Sequence, residues 1–333
     1  MAHRAKVDKR NLITIKAQAD RKNTAEVRNM ELAMIGLGKM GANMARRLLK
    51  HGHHVVGVDH TFEVAKSLAD EAGLIPAATL AEAVENLPTP RIVWSMVPSG
   101  EPTQAVVNEL AELLSPGDTI IDGGNTFYKD DIRRPAQLKD KGIHYVDVGT
   151  SGGVWGLEEG YSLMIGGDED VISELTPIFE ALAPAPDLGW GRVGPVGAGH
   201  FVKMVHNGIE YGLMEAYAEG FELLEHKKDM QFDLHQIAEI WRFGSVVRSW
   251  LLDLTAAALA ENPDLEGIAA YVTDSGEGRW TVAEAIDLNC SIPVISMALQ
   301  RRFRSREEAP FGDKLLAAMR NQFGGHAIKQ EEK

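Results

Sequence analysis

Five residues able to bind a substrate and move protons lie on one helical stripe in the C-terminal half. Lys203, His206, Asn207, Glu210 and Tyr211 stand at i, i+3, i+4, i+7 and i+8. At about 100° per residue these positions share a helix face. A lysine held out of water has its pKa lowered toward neutrality and can act first as base, then as acid. A glutamate two turns further on can give a proton to the far end of a short substrate, while Asn and His fix hydroxyls and a carboxylate. Val202, Val205, Ile209 and Leu213 form a neighbouring apolar stripe, by which the helix is expected to pack. A solvated face carrying a Lys–Glu pair explains poorly why glycines recur at 197, 199, 208 and 212. No carboxylate–histidine cluster has metal-ligand spacing, so no metal is expected.

A second constellation lies near the N-terminus. Gly36-Leu37-Gly38-Lys39-Met40-Gly41 ends an apolar run and opens a helical period. In a dinucleotide site Gly36 would make the tight turn, Gly38 would let the backbone approach a pyrophosphate, and Gly41 would let helix and strand pack closely. Asp59, eighteen positions beyond Gly41, can accept the ribose hydroxyls and repel a 2′-phosphate. No arginine follows it, which favours NAD; a charged His60 would still admit NADP. The competing role for Asp59 is to cap the helix after it. Two later loops, Met96-Val97-Pro98-Ser99 and Asp122-Gly123-Gly124-Asn125, fall at C-terminal strand ends, where open α/β sheets bind ligands. Asn125 there can bond a sugar or the nicotinamide carboxamide.

These residues need a scaffold. Strands are expected at 32–36, 54–59, 92–97, 119–122, 144–148 and 162–165. Helices are expected at 40–50, 61–72, 102–114 and 129–141. Strand–helix alternation implies βαβ units in a Rossmann-type, doubly wound, mainly parallel sheet. After about Gly194 the pattern turns helical, over 199–227, 234–241 and 247–260. The expected division is a basic, disordered extension at 1–29, a dinucleotide-binding domain at 30–196, and an all-α substrate and dimerisation domain with a C-terminal tail at 197–333.

The net charge of −14 disfavours nucleic acid and anionic membranes as partners. Residues 1–29 hold eight Lys/Arg against three Asp/Glu, a net of +5, which leaves about −19 for the remainder. A phosphorylated substrate would therefore need a local basic pocket. The lone cysteine, Cys290, allows no intrachain disulfide and points to reducing cytosol. No apolar run is long enough to cross a bilayer, and no secretory signal is visible.

The run GAGHFVKMVHNGIEYG (197–212), together with Ile121-Asp122-Gly123-Gly124-Asn125 and Ser151-Gly152-Gly153, closely resembles the signature of 6-phosphogluconate dehydrogenases. The resemblance extends from about residue 31 to 326. The chain is shorter than the family's common form, whose helical domain is duplicated, so it resembles the short, often bacterial branch. The resemblance implies Lys203 as the base and Glu210 as the acid of an oxidative decarboxylation of 6-phosphogluconate. It assigns Asn125, Ser151, Gly152, Gly153, His206 and Asn207 to the sugar chain and carboxylate, and Tyr211 to the phosphate. It further implies phosphate contacts from Arg320 and His326, reaching a partner's site in a homodimer or homotetramer, and from Arg302 in preference to Arg304. One departure stands out: where the common form carries a lysine and a threonine that hold phosphate, this chain has Ser275 and Glu277. The readings to exclude are a 3-hydroxyacid dehydrogenase, which would ordinarily lack both the glutamate seven residues after the lysine and the Arg–His tail, and a non-catalytic dinucleotide sensor.

Overall fold

The structure, a computed structural model, describes residues 29–324 and 326–330. Residues 1–28 of the basic extension lie outside the described residues. The chain forms two compact units, one ending at His200 and the other beginning at Phe201.

The first unit is built on an eight-stranded sheet: β1 (Glu31–Ile35), β2 (His54–Val58), β3 (Ile75–Pro76), β4 (Ile92–Ser95), β5 (Thr119–Asp122), β6 (His144–Ser151), β7 (Ser162–Gly166) and β8 (Trp190–Gly194). The strand order is β3-β2-β1-β4-β5-β6-β7-β8. All neighbours pair in parallel except β6 and β7, which run antiparallel. The central strands are apolar on both faces, as a sheet covered on both sides requires. Along β1, Leu32 and Met34 enter one core with Trp94, Ile121 and Val146. Ala33 and Ile35 enter the other with Val56, Val93 and Ile120.

The six expected strands are present. The short β3 and the glycine-rich β8 were not expected, because two residues and WGRVG carry little alternation. The helix expected at 129–141 is two pieces, Tyr128–Arg133 and Pro135–Lys139. Pro135 cannot donate to the i−4 carbonyl and its ring crowds the preceding turn.

The second unit is helical. One helix runs Ala198–His226, followed by helices Leu234–Arg242, Trp250–Glu261, Glu277–Asp287, Pro293–Arg304 and Phe311–Gly324. No helix among the described residues is long and apolar enough to cross a membrane.

Candidate active site

The sheet reverses its winding between β1 and β4, and the loops beyond the strand ends there surround a cavity of about 840 Å³. Gly36, Gly38, Met40, Asp59, Met96, Val97, Gly124 and Asn125 line it. Gly36 has φ +88°, a conformation open to glycine. A Cβ on Gly41 would stand 2.0 Å from the Gly36 carbonyl oxygen, whereas one on Gly38 would meet nothing within 4 Å. The three glycines thus divide their work: a turn, an open approach and a close packing contact. The helix Lys39–Lys50 begins at this opening, and its first N–H groups and dipole suit a diphosphate. Leu37 is buried and Lys39 exposed, so what each could offer a dinucleotide differs: Leu37 its backbone, Lys39 its side chain.

Asp59 does two things at once. Its Oδ2 accepts the Leu37 N–H at 2.8 Å and its Oδ1 accepts the Thr61 N–H at 3.0 Å. The carboxylate therefore braces the glycine loop and the entry to the helix Phe62–Ala72, whose N-cap is Thr61 rather than Asp59. His60 Nδ1 lies 2.9 Å from Asp59 Oδ1. Among the described residues, no Lys or Arg lines the cavity. A dinucleotide without a 2′-phosphate suits this lining.

Below the loop 122–125 lies a buried charged network. Asp122 Oδ2 accepts from Arg134 Nη1 (3.0 Å), Thr126 Oγ1 (2.9 Å) and Tyr145 Oη (3.2 Å), and Oδ1 accepts the Gly124 N–H. Asp131 Oδ1, 2.9 Å from Tyr145 Oη, shares that single phenol proton with Asp122, and Asp131 Oδ2 lies 2.7 Å from His200 Nδ1. Asp147 accepts the backbone N–H groups of Gly197 and His200, at 2.6 and 2.9 Å. Asp122, Asp131 and His200 come close enough to resemble a metal-ligand set. Their facing oxygens, however, take N–H and O–H donors, with the Arg134 guanidinium supplying the positive charge. Sequence spacing could not reveal this network, because its members come from a loop, two helices and two strands.

The Ser151-Gly152-Gly153 turn ends β6. Gly152 has φ +129° and Gly153 φ +54°, with open space where a Cβ on Gly153 would go. This turn and Asn125 are open to a ligand.

In the second unit, the stripe predicted to carry chemistry is present on the helix Ala198–His226. Burial pushes the Lys203 amine down, against the neighbouring Glu277 and Glu210 carboxylates, which raise it. His206 Nδ1 lies 2.9 Å from Asn207 Oδ1 and 4.0 Å from Glu210 Oε2. The packing face needs correction. Val202, Ile209 and Leu213, expected to pack, are 36, 52 and 46% exposed, while Met204, Gly208, Tyr211 and Gly212 are buried. The physical reason is Gly208, where a Cβ would stand 2.9 Å from Thr281 Cγ2: the missing side chain draws the helix Glu277–Asp287 against this face. Tyr211 is thereby buried. Its Oη accepts the Ser275 N–H at 3.2 Å, and the Arg302 guanidinium lies 3.6 Å from its ring centre.

Arg302 also donates to the Thr273 carbonyl at 2.8 Å, whereas Arg304 pairs with Asp313 and Glu307. Of the two, only Arg302 stands beside a stripe residue. Arg320 lies on the last helix, where every residue from Phe311 to Arg320 is exposed, and His326 follows it, also exposed.

Comparison with known proteins places these observations in a family. Residues 31–192 match the model of the NAD-binding domain of 6-phosphogluconate dehydrogenase, and residues 199–310 and 231–333 match that of its C-terminal domain. The Bacillus subtilis (strain 168) protein YqeC is 44% identical over 305 residues, 91% of this chain and 100% of that protein. The NAD(+)-dependent, decarboxylating 6-phosphogluconate dehydrogenase of Haloferax volcanii is 42% identical over 305 residues, with the same coverage. Among solved structures, Plasmodium falciparum 6-phosphogluconate dehydrogenase superimposes with a TM-score of 0.78 at 28% identity, covering 91% of this chain and 67% of that one.

Proposed function

Since this chain belongs to the 6-phosphogluconate dehydrogenase family, we propose that it oxidises and decarboxylates 6-phosphogluconate to ribulose 5-phosphate and CO2, with NAD as the preferred acceptor. The observation that carries the reading is the stripe of Lys203, His206, Asn207 and Glu210 on one helix, with the lysine depressed by burial. The bound nicotinamide supplies the hydride acceptor. Lys203 takes the C3 hydroxyl proton as hydride leaves C3. The same residue, now an ammonium, polarises the C3 carbonyl while CO2 departs from the β-keto acid, and this lets the step proceed without a metal as electron sink. Glu210 then gives a proton to C1 of the enediol.

Asn125, Ser151, Gly152, Gly153, His206 and Asn207 hold the hydroxyls and carboxylate in this scheme. Tyr211, whose oxygen accepts an N–H, keeps its own proton to donate to phosphate. Arg302 supplies a guanidinium beside it, and Arg320 and His326 complete the phosphate grip from a second copy of the chain. A homodimer or homotetramer is supported by the exposed apolar stripe of the long helix and by the exposed final helix, where Phe311 is 77% exposed. We place the enzyme in the cytoplasm on its cysteine usage.

A 3-hydroxyacid dehydrogenase would share the glycine loop and the lysine; Glu210 speaks for a decarboxylated product that must be protonated. Incubation with 6-phosphogluconate and either NAD or NADP, following both reduced nicotinamide and released CO2, tests the proposal. Equal amounts of the two are expected. Reduction without CO2, or no reduction at all, refutes it.

A further inference from the structure

The helix Glu277–Asp287 lies against the stripe-bearing helix by its first turn, and the contacts are specific. Thr281 Oγ1 donates to the Met204 carbonyl at 2.8 Å. A Cβ on Gly208 would stand 2.9 Å from Thr281, and one on Gly278 would stand 2.6 Å from the Tyr211 ring. This fit carries Glu277, the first residue of the second helix, into the interior, where it is 2% exposed. Ser275 Oγ donates to Glu277 Oε2, but Oε1 finds no partner among the described residues. A buried carboxylate oxygen left without a donor is costly, because it gives up hydration with nothing in exchange. Such a group calls for a cation.

The cations around it are mostly committed. Arg279 and Arg306 both bind Asp274, and Arg302 caps the Tyr211 ring and bonds Thr273. Lys203, one residue before the Met204 carbonyl that anchors Thr281, is the amine that feels the Glu277 charge first and the Glu210 charge second. His206, on the same helix, is turned to Asn207 and Glu210.

We propose that Glu277 is a positioning residue for Lys203, its buried carboxylate holding the ammonium that forms when Lys203 takes the substrate's hydroxyl proton. The inference rests on Lys203 as the base. The proton passes from the C3 hydroxyl to Nζ, and the pair's net charge rises by one in a half-buried place that screens it less than bulk water would. Without the carboxylate, that ammonium would form in a half-buried site beside the half-exposed Glu210 of its own helix.

The test is the pH at which Lys203 loses its proton, read in two ways on the full-length protein. The first is the acidic limb of kcat/KM for 6-phosphogluconate. The second is the pH dependence of trace acetylation at Lys203, quantified by peptide mass spectrometry, which needs no turnover. In Glu277→Gln both midpoints are expected to move to lower pH by about one unit. Glu277→Asp, which keeps the charge one methylene further away, should move them less in the same direction, and it carries the test alone if the Gln variant does not fold. Ser275→Ala, which leaves the charge in place, should leave them within experimental error. A folded Glu277→Gln, or Glu277→Asp in its stead, with an unchanged acetylation midpoint overturns the proposal. A shifted acetylation midpoint in a protein that does not turn over 6-phosphogluconate would uphold the Glu277–Lys203 pairing and refute only the substrate.

Discussion

His200 and Asp131 meet at 2.7 Å in the interior, where His200 Nδ1 donates to Asp131 Oδ2 while Nε2 donates to the Gly124 carbonyl at 3.0 Å. Both acceptors are met at once by the imidazolium. Burial opposes that charge, but Asp131, then Asp122 and Asp147, outweigh it and raise His200 to about 9. Asp131 itself is pushed up by burial, against the His200 charge, to about 6. One side chain thereby ties the last residue of the first unit to the loop that carries Asn125.

The pH dependence of stability follows. His200 has a folded pKa above its unfolded value of about 6.5, so its contribution is complete below that pH and is lost as pH rises through about 9. Thermal unfolding measured from pH 6 to 10 should show Tm falling across this window. His200→Asn should lose the part of the slope due to this group and should be destabilised near neutrality by about 3 kcal/mol, the cost of breaking a buried pair. An identical slope in the variant would show that the imidazole is neutral.

Lys203→Met keeps the aliphatic stem and removes the amine. Turnover should fall by at least roughly a hundredfold, the contribution of a general base, while NAD binding measured by calorimetry stays near wild type. Glu210→Gln should lower kcat more than it changes KM, because its proton is delivered after substrate is bound. Near-normal turnover in Lys203→Met would remove the lysine from the mechanism.

In the proposed function cofactor choice depends on Asp59, which also braces the Leu37 N–H. Asn at this position can keep that bond through its carbonyl oxygen while losing the charge that repels a 2′-phosphate. Asp59→Asn combined with His60→Arg should therefore shift the ratio of kcat/KM for NAD over NADP toward NADP by about tenfold or more. A wild-type ratio that already favours NADP would refute the NAD preference.

The tail can be tested by complementation. Lys203→Met and Arg320→Ala, each expected to be inactive alone, are mixed under conditions where subunit exchange is verified by mass spectrometry. If Arg320 serves a neighbour's site, mixed oligomers recover activity, since one site combines an intact helix with an intact tail. Exchange without recovery would assign Arg320 to its own subunit or to neither site.

Local pattern was enough for much of this protein. The glycine spacing of 36, 38 and 41, the acidic end of β2 and the apolar runs of β1, β4 and β5 report directly on a parallel sheet with a dinucleotide-binding turn, because the positive φ of Gly36 and the close packing at Gly41 exclude most other residues and a sheet covered on both faces needs apolar strands. The stripe of Lys203, His206, Asn207 and Glu210 was equally legible, since helical periodicity alone places the four together. What periodicity could not decide is which neighbouring face is covered. Val202, Ile209 and Leu213 look like a packing stripe, yet the covered face runs through Gly208 and Tyr211, because a missing Cβ admits a second helix whose approach no local signal announces. The same holds for His200, Asp131 and Asp147, and for Thr281 against Met204: residues up to 77 positions apart meet only when the chain closes. Their charges matter because folding removes the water that would screen them, and only tertiary structure decides where the water is gone.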